Sequence, residues 1–305
     1  MRTVLFTLAL LLAARSAAHA QKFEYGKYDD IKDVKTVEWK ATAEAGLVFT
    51  TGSSESLAAS GGIRASRKSG NNKLDLEASA AYARTGLRFL LDRNDNGVID
   101  DESEITTVET ITAETLASKL RYDRFLSSLN SLYVAALASR DTPAGKKFVF
   151  GGQVGYSRSL YKSKTALTLA EIGYDYSRED LYGPGAKISI HSIRGFIGHK
   201  ATMTEGTELD ASYEVLTNMN TLTLPTDKDG GPLQDTRMTV KVGISAKIGI
   251  NLAFQSSVEA RYDHRPGPLA VKNLAMGFTP EAARFDTVMK ATFIYTFVGA
   301  IVKKK

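Results

Sequence analysis

Residues 237–248 read Arg237-Met-Thr-Val-Lys-Val-Gly-Ile-Ser-Ala-Lys-Ile248, with an apolar residue at every second position and no slip. Met238, Val240, Val242, Ile244, Ala246 and Ile248 share one face; Arg237, Thr239, Lys241, Gly243, Ser245 and Lys247 share the other. A period of two marks a strand, because successive side chains leave a pleated backbone on opposite sides. The next segment repeats the pattern, with Leu252, Phe254, Val258, Ala260 and Tyr262 against Gln255, Ser257, Glu259, Arg261 and Asp263. So does the last, with Phe285, Met289, Ala291, Phe293, Tyr295 and Phe297 against Asp286, Lys290, Thr292 and Thr296. Strands of soluble domains average ~5 to 6 residues. These runs are about twice that, and an oblique crossing of a bilayer takes ~9 to 11.

Reading outward in both directions predicts about twelve such strands, near 38–50, 55–67, 73–85, 112–125, 129–140, 147–160, 165–177, 187–201, 207–216, 236–248, 250–263 and 284–297. An even count suits a closed single-chain barrel. Around Leu167 and Leu169, and again at Ile193, apolar residues fall on both faces, which predicts a bulge or a wider wall contact. With both ends of the barrel region on the same side, the even-numbered joins are tight: 68–72, 126–128, 161–164, 203–206 and the join at Gly249. The odd-numbered joins include the long 86–111, 217–235 and 264–283, apart from a short first one at 51–54. A soluble β-sandwich or lectin-like module has no reason to sort its connections in this way, whereas an outer-membrane barrel does. The fold class is therefore all-β, an antiparallel transmembrane β-barrel of about 12 strands.

The first 20 residues point to the same compartment. Arg2 forms a basic n-region, an apolar stretch runs from Val4 to Ala14, and Ala18-His19-Ala20 is a small-x-small cleavage site before Gln21. The apolar run is shorter than the ~20 residues of a spanning helix, so it reads as a cleaved signal peptide. Residues 21–37 then form a periplasmic segment, 38–297 the outer-membrane barrel and 298–305 a basic tail in a Gram-negative outer membrane. Lysine and arginine number 39 against 34 acidic residues in 305. The signal carries two of the arginines, and Lys303 to Lys305 supply the rest of the surplus, so no basic stripe remains for nucleic acid. The absence of cysteine excludes a disulfide framework, a thiolate metal site and a cysteine nucleophile.

Trp39 opens the first strand, and Tyr82, Tyr122, Tyr156, Tyr174, Tyr176, Tyr213, Tyr262, Tyr295 and Phe297 lie towards strand ends, as membrane-interface aromatics do. The ending Tyr295-x-Phe297 is the kind that barrel-assembly machinery reads, although Thr292 stands where a glycine is usual. Trp39 through Gly46, Thr51-Gly52-Ser53 and the strand up to Gly62 are followed by Tyr122-Asp-Arg-Phe-Leu126, the Gly151–Tyr156 stretch, Gly173-Tyr-Asp-Tyr176, and Tyr262-Asp263 with Pro266 and Pro268. In that order they resemble the salt-induced outer-membrane protein family, a bacterial family of unknown molecular function. The resemblance covers nearly all of the mature chain. It implies an outer-membrane β-barrel and brings no catalytic residues; the long second loop and the tail past Phe297 go beyond it.

The inward face carries Lys40, Glu44, Arg64, Asp75, Glu77, Lys119, Arg121, Asp123, Glu171, Glu208, Asp210, Glu214, Arg237, Lys241, Glu259, Arg261, Asp286 and Lys290. Mixed signs do not make an ion-selective field. Two functions follow: a narrow channel for small polar solutes of unnamed identity, or a plugged structural barrel that presents its loops. His191, His199 and His264 read as solvated, and no G-x-S-x-G, H-E-x-x-H or Walker loop accompanies them, so catalysis is not expected.

One loop carries metal chemistry. Asp92, Asn94 and Asn96 stand at positions one, three and five of a calcium loop, Gly97 at six, the Val98 carbonyl at seven and Asp100 at nine. Position twelve holds Ser103 where a bidentate glutamate belongs, with Glu102 and Glu104 beside it. Two charges in register predict weak Ca²⁺ binding, ~0.1 to 1 mM, as in extracellular modules. The alternative is an exposed loop rich in Asx turns and without an ion. Millimolar Ca²⁺ should protect the segment around Gly97 from protease, and Asp92→Ala with Asp100→Ala should remove the protection. Equal cleavage in calcium and in chelator refutes the site.

Overall fold

The computed structural model describes residues 36–50, 55–90, 105–182, 187–223, 230–268, 281–297 and 301–303. Its strands are β1 (Thr36–Thr50), β2 (Glu55–Ser69), β3 (Asn72–Leu90), β4 (Ile105–Phe125), β5 (Asn130–Asp141), β6 (Lys146–Lys162), β7 (Ala166–Leu181), β8 (Lys187–Thr204), β9 (Thr207–Asn218), β10 (Thr236–Lys247), β11 (Leu252–Asp263), β12 (Phe285–Phe297) and β13 (Ile301–Lys303). Consecutive strands pair antiparallel from β1 to β12, and β12 returns to β1 through Ala41↔Phe297 to Ala45↔Phe293. The sheet is thus a closed twelve-strand barrel. Short β13 extends the same seam, pairing Ile301–Lys303 with Thr36–Glu38. The wall therefore begins two residues before the expected 38 and draws in part of the segment read as a tail. The signal region and the calcium-loop motif lie outside the described residues.

The alternation that builds the strands also sorts them, with the polarity of a soluble protein reversed. On β7, Glu171 is 5% exposed and its neighbour Ile172 63%; on β8, Arg194 is 1% exposed and Ile193 48%. Charged residues turn into the lumen, while Leu76, Leu120, Val154, Val242 and Phe293 face outward. Such an exterior is stable against acyl chains, and in water it would be a large exposed apolar surface. Aromatic rings mark its turn end. Trp39 lies under the Arg67 guanidinium at 5.6 Å, and the Tyr122 hydroxyl donates to Asn72 Oδ1 at 2.6 Å.

Every even-numbered join is tight, as expected. Gly70 and Gly206 hold positive φ of 55° and 91° in two of these turns, a backbone region that costs little only for glycine. The odd-numbered joins differ from expectation. β3 and β4 continue to Leu90 and from Ile105, so the join predicted at 86–111 shrinks to 91–104. Their register shifts between Ala83 and Arg84, and outward positions on β4 change from even (Leu116, Leu120) to odd (Ile111). That change of phase hid the upper hairpin from a strict period-two reading. The β5–β6 and β7–β8 joins are also short, so loop length separates the two ends of the barrel through three connections only.

Of the bulge and the wall contact expected at Leu167 and Leu169, the structure shows the bulge, in the β6–β7 register opposite Leu169 and Thr168. Leu167 and Leu169 point inward and pack with Phe196 inside the lumen, whereas Ile193 faces out. The shift lies between Ser159 and Tyr161 on β6.

Closure gives the first structural prediction. Thr42 and Thr296 are partners across the β1–β12 seam and both line the lumen. In a chain without cysteine, Thr42→Cys with Thr296→Cys should oxidise to a disulfide that changes gel mobility, while Thr42→Cys with Met289→Cys should not. Efficient cross-linking of the second pair would contradict the register.

Candidate functional site

The lumen is not uniformly filled. Strands β4 to β9 support an ionic plug, and two cavities lie beside and above it. In the plug, Arg121 Nη2 donates to Asp123 Oδ1 at 2.7 Å and to Glu171 Oε1 at 2.7 Å. Glu171 Oε2 accepts from Arg194 Nη1 at 2.7 Å, and Arg194 Nε donates to Glu214. One carboxylate therefore bridges two guanidiniums from strands on opposite sides of β7. Bidentate, charge-assisted geometry lets such groups be buried together, since a lone buried charge costs several kcal/mol.

Tyr133 completes the plug. Its hydroxyl accepts from Arg194 Nη1 at 2.9 Å, and its ring lies under the Arg121 guanidinium at 4.2 Å. The ring extends across β6 and β7 above Gly155 and Gly173, where a Cβ would lie 2.6 Å from the tyrosine oxygen in each case. These glycines provide the space that the tyrosine occupies in the lumen.

At the loop end, a second cluster joins five strands, β5, β6, β7, β10 and β11. Arg237 Nη1 donates to Glu179 Oε1 at 2.5 Å, and Lys146 Nζ lies 3.5 Å from the same oxygen. Arg261 Nε donates to Glu259 Oε1 at 2.5 Å, and its Nη1 lies 3.4 Å from Asp141 Oδ2. Above it, loop segments bend over the mouth. Buried Leu222 packs with Leu181, Ile188 and Ile190, and the Pro268 carbonyl comes so close to Gly145 that a Cβ there would lie 1.9 Å away.

A cavity of about 350 Å³ opens beneath these loops, lined by Lys119, Gln153, Asp175, Arg237, Lys241 and Glu259 among others. Another of about 160 Å³ lies towards the turn end against β1 to β3, lined by Lys40, Glu44, Arg64, Glu77, Lys119 and Lys200 among others. Lys119 borders both and so marks the waist.

The sequence-derived residues fall as follows. Lys119, Arg121 and Asp123 project from β4; Glu208, Asp210 and Glu214 from β9; Lys241 from β10; Glu259 and Arg261 from β11; Lys290 from β12. Arg121, Asp123 and Glu214 join the plug, and Glu259 and Arg261 pair with each other. Glu208 pairs with Lys200 at 2.8 Å, and Asp210 Oδ1 accepts from Gln255 Nε2 at 3.3 Å. Lys290 stands beside Ser257 across the strand pair. Asp92, Asn94, Asn96, Val98 and Asp100 lie outside the described residues. Among the described ones, no group of three or more histidines and acids could hold a metal. His199 Nδ1 pairs with the Thr168 hydroxyl at 2.8 Å and His191 Nδ1 with the Tyr174 hydroxyl at 2.5 Å, both on the outer face.

Sequence reading missed the two residues on which the plug turns, Arg194 and Tyr133. Inward Ile188, Ile190 and Phe196 make β8 look apolar on both faces, and Tyr133 carries no charge to mark it as inward. Counting back in twos from Lys200 would have placed Arg194 inside.

The plug's geometry sets a stability test. Glu171→Gln leaves two guanidiniums sharing a neutral amide, and breaking a buried pair costs ~3 to 5 kcal/mol. Glu109→Gln removes the carboxylate that Arg84 meets at 3.1 Å on the exposed surface, worth ~0 to 1 kcal/mol. Heat-modifiability gels should show Glu171→Gln unfolding at a clearly lower temperature and Glu109→Gln close to wild type. Equal behaviour would show that the plug contributes little.

Comparison with solved structures returns β-barrel proteins of low similarity. The NanC porin is 10% identical with a TM-score of 0.41, covering 86% of this chain and 99% of its own. The translocator domain of the autotransporter NalP from Neisseria meningitidis is 12% identical with a TM-score of 0.39, covering 88% and 90%. An anion-selective porin from Comamonas acidovorans is 9% identical with a TM-score of 0.35, covering 86% and 98%. Comparison with curated proteins finds no match. Residues 43–297 match the family described as "Protein of unknown function, DUF481", and the chain belongs to that family.

Proposed function

We propose that the protein is an outer-membrane β-barrel of a Gram-negative envelope that passes small polar solutes through a constricted lumen and performs no catalysis. The observation that carries this reading is the pairing of an apolar outer face with a charged, partly hollow inner one. A twelve-strand sheet is wider than the eight-strand barrels that side chains fill and narrower than the 16-strand porins with open channels. Here the ionic plug fills part of that space, and the two cavities that meet at Lys119 leave the remainder open. The outer face fits lipid contact, and the aromatic ending Tyr295-x-Phe297 fits delivery by the barrel-assembly machinery. The resemblance to the salt-induced outer-membrane protein family agrees with an envelope role.

The folded-over loops and the plug favour one competing reading, a closed barrel that presents its loops. Planar-bilayer recording on refolded protein separates the two. The channel reading expects small, stable conductance with little preference between anions and cations, because the wall charges are mixed. Lys241→Glu with Arg261→Glu should shift that preference towards cations. No conductance where a control porin opens would leave the loop-presenting barrel.

A further inference from the structure

We propose that the larger cavity of the lumen binds the anionic group of a small solute, a carboxylate or a phosphate, through the lysines on its wall, Lys119 and Lys241. This rests on the channel reading and assigns it a solute class. Both lysines are more than nine-tenths buried, 8% and 5% exposed, and both line the larger cavity. Neither ammonium makes an ion pair or a hydrogen bond with a described residue.

The same arrangement leaves each of them over. Lys119 on β4 stands directly across from Glu77 on β3, and Lys241 on β10 directly across from Glu259 on β11. In both places a nearby arginine has taken the carboxylate: Arg64 Nε meets Glu77 Oε1 at 2.8 Å, and Arg261 Nε meets Glu259 Oε1 at 2.5 Å. A guanidinium presents a planar fork to a carboxylate and is less strongly hydrated than an ammonium, so it wins the contact. At each position an arginine thus holds one oxygen of the acid that the lysine faces across the sheet. The two ammoniums, on largely buried side chains, make no direct contact with a described residue and border the cavity, and such a group gains from an incoming anion.

Other acids near the cavity are largely engaged. Glu214 is held by Arg194, Glu179 by Arg237, and Asp175 Oδ2 accepts from Gln153 Nε2 at 2.8 Å. Asp210, on the strand beside Lys241, is turned over Gly243 towards Gln255. Asp286 remains at the mouth, across from Arg261. Both ammoniums therefore reach the larger cavity without a direct contact to a described residue, and the lumen as a whole stays mixed in sign. The polar amide of Gln153 and the hydroxyls of Ser139, Ser177 and Ser212 on the same wall suit a solute with hydroxyl groups besides its charge.

The test uses the full mature protein refolded in detergent, with gluconate and inorganic phosphate as anionic probes and sorbitol as the neutral analogue of gluconate. Calorimetry should show saturable binding of gluconate, of phosphate or of both, and none of sorbitol. Lys119→Gln with Lys241→Gln should weaken binding roughly tenfold or more, since a charge-assisted contact is worth about 1.5 to 3 kcal/mol. Lys119→Arg with Lys241→Arg, which keeps both charges, should retain it; heat-modifiable migration certifies that each variant is folded. In bilayers, the same probes should block chloride current in a concentration-dependent way, less so in the Gln variant. Binding without conductance would end the channel reading and leave the site. Conductance that neither probe affects, with no calorimetric binding, would end the site and leave the channel. Equal affinity in the folded Gln variant would overturn the assignment to these lysines.

Discussion

The structure depends on complete pairing of the backbone. In a lipid phase no water satisfies an unpaired N–H or C=O, so a sheet is stable there only if its last strand returns to its first. β12 meets β1 over Ala41–Ala45, and β13 adds the three pairs at Thr36–Glu38. Closure then fixes everything else about the side chains. Each strand has one face towards lipid and one towards the lumen, so the same alternation that drives Leu, Val and Phe outward forces Lys, Arg, Asp and Glu into a confined space. The charges are inside as a consequence of the wall, and the wall tolerates them because most find a partner.

How that partnering is distributed decides the shape of the interior. Between β4 and β9 the guanidiniums of Arg121 and Arg194 share Glu171, and Tyr133 fills the space that Gly155 and Gly173 leave. Across from them, β1 to β3 and β10 to β12 also carry shorter connections, between neighbouring strands in Arg64 to Glu77 and along β11 in Arg261 to Glu259. Ion pairs that reach across strands occupy the lumen; ion pairs between neighbours lie flat on its wall. The smaller cavity lies against β1 to β3, where the second kind dominates, and the larger one is rimmed by pairs of the first kind, Arg237 with Glu179 and Arg261 with Asp141.

Much of this was legible beforehand, and the limits have physical causes. Period two identified all twelve barrel strands, because a barrel imposes a single rule on every strand. It failed where the rule lapses. The register shift at Ala83/Arg84 changes the phase, so residues 86–90 of β3 and 105–111 of β4 read as loop. Leu167, Leu169 and Phe196 are apolar yet inward, since they pack against one another inside the lumen. Periodicity also cannot say which inward charges meet. Arg121 and Glu171 are fifty residues apart and joined only by the curvature of four strands. A barrel's pairing partners are a property of closure, and closure has no local signal.

The difference between arginine and lysine in this lumen follows from the same confinement. A guanidinium offers five donors in a rigid plane and can serve two carboxylates at once, as Arg121 does with Asp123 and Glu171. An ammonium on a flexible stem offers a point charge and loses the competition when both reach one acid. In water this difference would be small, because the lysine would remain solvated at little cost. Inside a wall only twelve strands wide, solvation is scarce, and the lysine that loses its acid is left desolvated with its charge directed into what space remains. The arginines therefore give the barrel its rigidity, and the lysines beside them give the lumen its chemistry.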